Sequence, residues 1–123
     1  MTARIGNITF DCHDVLKVAA FWSAALGRPI DQGSNEVFAT IGGADAQRQE
    51  PALYFNLVTE PKRAKNRVHL DLVDPDPSAA DELVALGATV VSKHQVAGGS
   101  HRWTYLQDPE GNEFCVAVRS YTG

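Results

Sequence analysis

The chain repeats itself at one fixed offset, and that repeat limits its fold more than any other feature. Ile8, Phe10 and Cys12 return sixty positions later as Val68, Leu70 and Leu72, and Asp11 and Asp14 return as Asp71 and Asp74. The same offset aligns Ala19-Ala20 with Ala79-Ala80, and Ala25-Leu26-Gly27 with Ala85-Leu86-Gly87. A strand, a turn aspartate and a helix end that all recur at one interval indicate a duplicated supersecondary unit. At 123 residues the chain has room for one domain, 1–123, made of two modules of about 1–62 and 63–123.

Each copy reads alike. Residues 4–12 alternate apolar and polar, the period-two mark of a half-buried strand. Asp14 can cap a helix that runs to about Leu26, with Val15, Val18, Ala19, Trp22, Ala25 and Leu26 as its apolar stripe. Gly27 suits a left-handed residue past the helix end, and Pro29 prevents continuation. In the second copy Asp76-Pro77 offers a cap and a first-turn proline, Ala80, Leu83, Val84 and Leu86 form the stripe, and Gly87 ends it. Short strands are expected at 28–32, 36–41 and 52–59, then at 88–93, 101–107 and 113–119. The turn Asp108-Pro109-Glu110-Gly111-Asn112 precedes the last of these. Two βαβββ modules give eight strands and two helices. This is an α+β fold of mostly antiparallel strands, whose helix-free faces are expected to curve into a shared cup.

Side chains two apart on a strand share a face. Val68, Leu70 and Leu72 are therefore expected under the helix, with Arg67, His69 and Asp71 facing the cup. Asn7, Thr9 and Asp11 form the matching stripe of the first copy. An imidazole such as His69 can act as general base or acid, oriented by Asp71 or Asp11, while Arg67 can hold a carboxylate or other oxyanion. The competing reading makes Arg67, Asp11 and Asp71 a buried ion-pair network that pins the modules together. His101, Trp103, Tyr105 and Gln107 alternate on a late strand, either as an aromatic wall for a planar ligand or as plain packing. Phe38 is a further wall candidate. His13, His94 and His101 are expected on the surface or in loops, and the spacing of His94 and His101 gives little for a metal. Cys12 and Cys115 lie in apolar runs as buried free thiols, and Cys115 would need a base and a positive setting to act as a nucleophile.

With net charge −4 and pI near 5.4, the chain has no basic footprint for nucleic acid. No apolar run is long enough to span a membrane, and the first residues lack the apolar core of a signal peptide. A cytoplasmic location is expected.

The repeat, Phe21-Trp22, Leu26-Gly27, the run from Lys65 to Leu72 and the run from Asp108 to Val116 together resemble the glyoxalase-like branch of the vicinal oxygen chelate superfamily. That superfamily also holds fosfomycin- and bleomycin-resistance proteins and extradiol dioxygenases. The resemblance implies paired modules around a cup, a homodimer, and in catalytic branches a divalent metal held by His, Gln or Glu. Those ligand positions fall at Asn7, Arg67 and Cys115, with Phe55 as the first-copy counterpart of Cys115. Amide, guanidinium and phenyl groups make poor ligands or none, so Cys115 would bind alone and no metal cofactor is expected. The resulting expectation is a small-molecule binding protein with Asn7, Thr9, Arg67, Trp103, Tyr105, Phe38 and Cys115 at its ligand. The alternative is a lyase or isomerase that uses His69 with Asp71 or Asp11. A structural module with a filled cup is the third possibility.

Overall fold

The computed structural model describes residues 1–95 and 102–121. Two units, Met1–Pro61 and Lys62–Gly123, each carry their own sheet and helix.

The first unit runs β1 (Asn7–Cys12), α1 (Val15–Leu26), β2 (Phe38–Ile41) and β3 (Ala52–Leu57). Its sheet order is β1-β3-β2, with β1 parallel to β3 and β2 antiparallel to it. Asp14 begins α1 by accepting the Lys17 N–H at 3.2 Å, which satisfies one of the donors that a helix start leaves open. Gly27 ends it at φ 63°, where a side chain would be strained. Val15, Val18, Ala19, Phe21 and Trp22 are the buried residues of this helix. They meet the sheet face that carries Phe10 and Phe55, whose rings stack at 5.2 Å, while Trp22 lies 5.3 Å from Phe10. The alternation read in the sequence thus places Phe10, Cys12, Leu53, Phe55, Ala39 and Ile41 towards α1. Asn7, Thr9, Asp11, Tyr54 and Asn56 take the other face.

The second unit runs β4 (Leu70–Asp74), α2 (Ala79–Leu86), β5 (Thr89–Gln95), β6 (Arg102–Gln107) and β7 (Glu113–Val118). The order is β4-β7-β6-β5, with β4 parallel to β7 and the remaining pairs antiparallel. In each unit the one parallel pair joins the first strand to the last, β1 to β3 and β4 to β7, and the hairpin β6–β7 continues the second sheet. Phe114, Val116 and Leu106 are buried on the face towards α2, whose buried residues are Ala79 and Leu83.

Several expectations need correction. There are seven named strands among the described residues, not eight, because 28–32 contributes an isolated bridge, Ile30 to Ile41, and no strand. Pro29 lacks a donor, and Asp31 spends its carboxylate on Thr40 and the Gly43 N–H, so a loop forms there. The first strand begins at Asn7 and not near residue 4. The second helix begins at Ala79, since Asp76 accepts from the Ser78 N–H and hydroxyl in a turn before the helix. β4 begins at Leu70, so Arg67, Val68 and His69 precede it, and Val68 is 80% exposed and not under the helix.

Two anchors fix the second sheet. Asp108 is buried and accepts from the Glu110 N–H at 2.9 Å, the Asn112 N–H at 3.0 Å and the Asn112 side chain at 3.0 Å, closing the turn into β7. Glu113 is buried and accepts from Lys62 Nζ at 2.8 Å and from the Asn66 N–H at 3.0 Å, so the segment ahead of β4 is tied to β7. Burial opposes ionisation of Glu113, but the Lys62 bond, the Asn66 N–H and the Lys62 charge outweigh it and hold its carboxyl below the usual range.

The face assignment predicts that Phe55→Ala costs about 3–5 kcal/mol in chemical denaturation. Phe38→Ala, at a side chain 41% exposed on the opposite face, should cost well under about 2 kcal/mol. Equal losses would refute the assignment. For Glu113, the depressed folded value means its stabilisation is complete above the unfolded carboxylate value and disappears as pH falls through the folded one. Glu113→Gln should therefore lower stability by about 2 kcal/mol at neutral pH. The gap from wild type should close in acid, as urea midpoints across a pH series would show.

Candidate functional site

Backbone register assembles one chemically dense row. Asp71 on β4 lies opposite Cys115 on β7, and Cys115 lies opposite Tyr105 on β6. Ser92 on β5 continues the row beyond Tyr105. Partners directly opposite in a ladder project to the same side. Because Phe114 and Leu106 point towards α2, this row occupies the helix-free face. The next row on that face holds His94, Trp103 and Ala117.

His69 precedes β4 but folds over the same face. Its Nδ1 lies 3.1 Å from Asp71 Oδ1, and its ring is 6.3 Å from Tyr105 in an edge-on arrangement. A carboxylate only accepts, so the shared proton sits on Nδ1, and in the neutral ring Nε2 keeps a lone pair for an incoming group. The side chains are 36% and 69% exposed, which leaves both open to solvent. Cys115 hydrogen-bonds to Asp71. Burial pushes its thiol up, the Asp71 charge and hydrogen bond act in the same direction, and Lys65 pulls weakly the other way. Cys115 is thus a protonated thiol and not a ready nucleophile.

The aromatic residues divide into two places. Lys65 Nζ sits 5.3 Å from the Tyr105 ring centroid, a cation–π distance, and the Tyr105 hydroxyl is buried with no hydrogen-bond partner among the described residues. Trp103 is stacked on His94 at 5.1 Å, and His94 Nε2 meets Ser92 Oγ at 2.7 Å. His94 is an exposed residue of β5. His101, paired with it in the sequence reading, lies outside the described residues, as does the loop 96–100.

In the first unit, Asn7 donates its side-chain amide to Thr9 Oγ1 at 2.8 Å, so these two exposed residues bind each other. Asp11 lies opposite Asn56, and Phe38 packs edge-on against Tyr54 at 5.4 Å. The sixty-residue offset equates Asp11 with Asp71, so register makes Asn56 the counterpart of Cys115. Phe55 is one residue away, fully buried on the helix side.

Within the second unit, Arg67 and Asp71 form no ion pair among the described residues. Asp71 is bonded to His69 and Cys115, while Arg67 is exposed and makes no ion pair among the described residues. Nor do the positions that the resemblance offers for a metal fit one: Asn7 is bound to Thr9, Arg67 is a cation, and Phe55 faces away. Cys115, however, does not stand alone. Donor atoms of His69, Asp71 and Cys115 all lie within 4.8 Å of one another.

Sequence reasoning missed Lys65, Tyr54 and the Glu113–Lys62 clamp. The alternation Ala52, Tyr54, Asn56 against Leu53, Phe55, Leu57 already marks Tyr54 as facing away from the helix. The clamp joins residues far apart in the chain and leaves no local signal.

Similarity to known structures follows this geometry. FosX, the fosfomycin resistance protein of Mesorhizobium loti, aligns with TM-score 0.71 at 14% identity over 99% of this chain and 97% of its own. A glyoxalase/bleomycin resistance/dioxygenase family enzyme from Burkholderia phytofirmans PsJN aligns with TM-score 0.67 at 18% identity, covering 94% of this chain and 98% of that one. Lactoylglutathione lyase from Agrobacterium tumefaciens aligns with TM-score 0.60 at 17% identity, covering 95% and 94%. At such identities the likeness concerns the fold. No curated protein matches the chain in sequence. No helix among the described residues is long and apolar enough to cross a membrane. Residues 7–117, nearly the whole chain, match the family described as Glyoxalase-like domain, and the protein therefore belongs to that family, within the vicinal oxygen chelate superfamily.

Proposed function

We propose that the protein binds a small organic anion on the helix-free face of its second sheet. The observation that carries this reading is the buried, unpartnered Tyr105 hydroxyl in the row with Cys115 and Asp71. Leaving such a group without a partner costs about 1–3 kcal/mol, and a ligand oxygen that bonds it removes that cost. Lys65 beside the Tyr105 ring and the unpaired Arg67 supply positive charge for a carboxylate or phosphonate. Trp103 offers an apolar surface nearby on the same face. The same reading takes the protein to be a homodimer, as the family resemblance implies, and to act in the cytoplasm.

A screen of small carboxylates and phosphonates by thermal shift and calorimetry tests it. Saturating ligand should raise the melting temperature. Tyr105→Phe should weaken binding about fivefold and Arg67→Ala about tenfold or more. Affinities that both substitutions leave unchanged would remove the ligand from this face.

The His69–Asp71 bond favours a second reading, in which the bound molecule is turned over by a lyase or isomerase reaction. Asp71 orients the ring and Nε2 takes or returns the proton. His69→Ala should leave stability within about 0.5 kcal/mol, because the ring is exposed, while turnover falls roughly 10²–10⁴-fold. A variant that unfolds would instead assign His69 a structural role.

A further inference from the structure

An apolar row lies beside the polar one on the helix-free face of the second sheet. We infer that the bound anion is an arylalkyl carboxylate or phosphonate, with its ring stacked on Trp103 above Ala117 and its head group at Tyr105 and Lys65. This rests on the anion-binding reading above and adds the chemical class of the ligand, a flat ring joined to the head group by one or two methylene groups.

Register lays out the two rows. Ser92, Tyr105, Cys115 and Asp71 form the polar one, and a step of two residues along each strand gives His94, Trp103, Ala117 and Val73. The His94 and Trp103 rings stand side by side on adjacent strands, 5.1 Å apart and 11° from parallel. Ser92 Oγ meets His94 Nε2 at 2.7 Å and holds the outer ring of this stack in place. On the β7 side of Trp103 the sequence puts only the methyl group of Ala117, with Val73 beyond it on β4. Trp103, Ala117 and Val73 are all partly exposed. Neighbouring strands lie about 4.8 Å apart. A ring seated above Ala117 would therefore continue the stack at nearly the spacing that His94 keeps, within the range aromatic pairs prefer. Val73 would close its far side.

The distance between the rows sets the length of the ligand. Residues two apart on a strand stand about 6.8 Å apart. A ring above Ala117 has Cys115 at its edge, and a head group carried roughly that far along β7 reaches the Tyr105 side of the polar row. A carboxylate attached directly to the ring falls short, and one or two methylene groups supply the span. The Tyr105 hydroxyl is buried, has no hydrogen-bond partner among the described residues, and would donate to the head group. Lys65 beside its ring and the exposed Arg67 supply positive charge. Asp71 opposes an anion from the β4 side. The His69 ring and the Cys115 thiol both donate to it, and its remaining charge directs the head group towards Tyr105.

Calorimetry on the full chain compares phenylacetate, 3-phenylpropionate and benzylphosphonate with acetate, propionate and methylphosphonate, and with cyclohexyl counterparts of the same length. The aryl anions should bind about tenfold or more tighter than the short alkyl ones, from burial of the ring. They should bind about threefold tighter than the cyclohexyl ones, from stacking. An electron-poor ring, as in 4-nitrophenylacetic acid, should quench tryptophan fluorescence saturably, and Trp103→Leu should remove that quenching, because Trp22 is buried under the first sheet's own helix. Trp103→Leu and Ala117→Leu lie on adjacent strands, the first removing the stacking partner and the second filling the seat. Each should bring the ratio of aryl to alkyl affinity to within about threefold of one, with circular dichroism confirming the fold. If one of them does not fold, the other and the wild-type ligand series still decide. Equal affinity for phenyl, cyclohexyl and alkyl anions, or an aryl preference that survives either folded variant, would overturn the ring seat and leave anion binding standing. No affinity for any carboxylate or phosphonate would sink both readings.

Discussion

The parallel register of β4 on β7 is the constraint on which the second unit's chemistry depends. It sets Asp71 against Cys115, and the antiparallel register of β6 sets Tyr105 beside them. A slip of one residue would turn Leu70 or Leu72 to the open face and bring Asp71 under the helix, where an unpaired carboxylate is costly. Burial of Phe114, Val116 and Leu106 holds one side of that register. The Asp108 turn fixes where β7 starts, and Glu113 ties the segment entering β4 to the strand it will join. The polar row is thus placed by apolar packing on the opposite face and by two buried carboxylates at its margin.

The two copies have specialised within one frame. The first has the longer helix, with Trp22, Phe10 and Phe55 in mutual contact, and its helix-free residues Asn7 and Thr9 satisfy each other. The second has a shorter helix with fewer buried residues, yet its open face carries a histidine, a carboxylate, a thiol and an unpartnered phenol. Duplication supplies two equivalent surfaces, and only one needs to keep a reactive set once the other contributes stability.

Much of this was legible in the sequence. Alternation along 7–12 and 52–57 reveals two-faced strands, and Asp14 and Gly27 mark the limits of α1 through local backbone chemistry. The repeat gave the order of the elements. Register was less legible, because it is set by pairing between residues far apart. Counting from the offset led to Phe55, whereas the ladder leads to Asn56, and that single step separates the helix side from the open side. For the same reason Cys115 looked solitary: its neighbours His69 and Asp71 are more than forty residues away in the chain. His69 and Asp71, two apart, were legible as a pair, since only local spacing was needed.

Asp71 ties binding and turnover on this face together. It accepts from both the His69 ring and the Cys115 thiol, a chain of two hydrogen bonds that keeps the sulfur protonated and leaves His69 Nε2 open. The site can therefore move a proton through the ring but offers no thiolate.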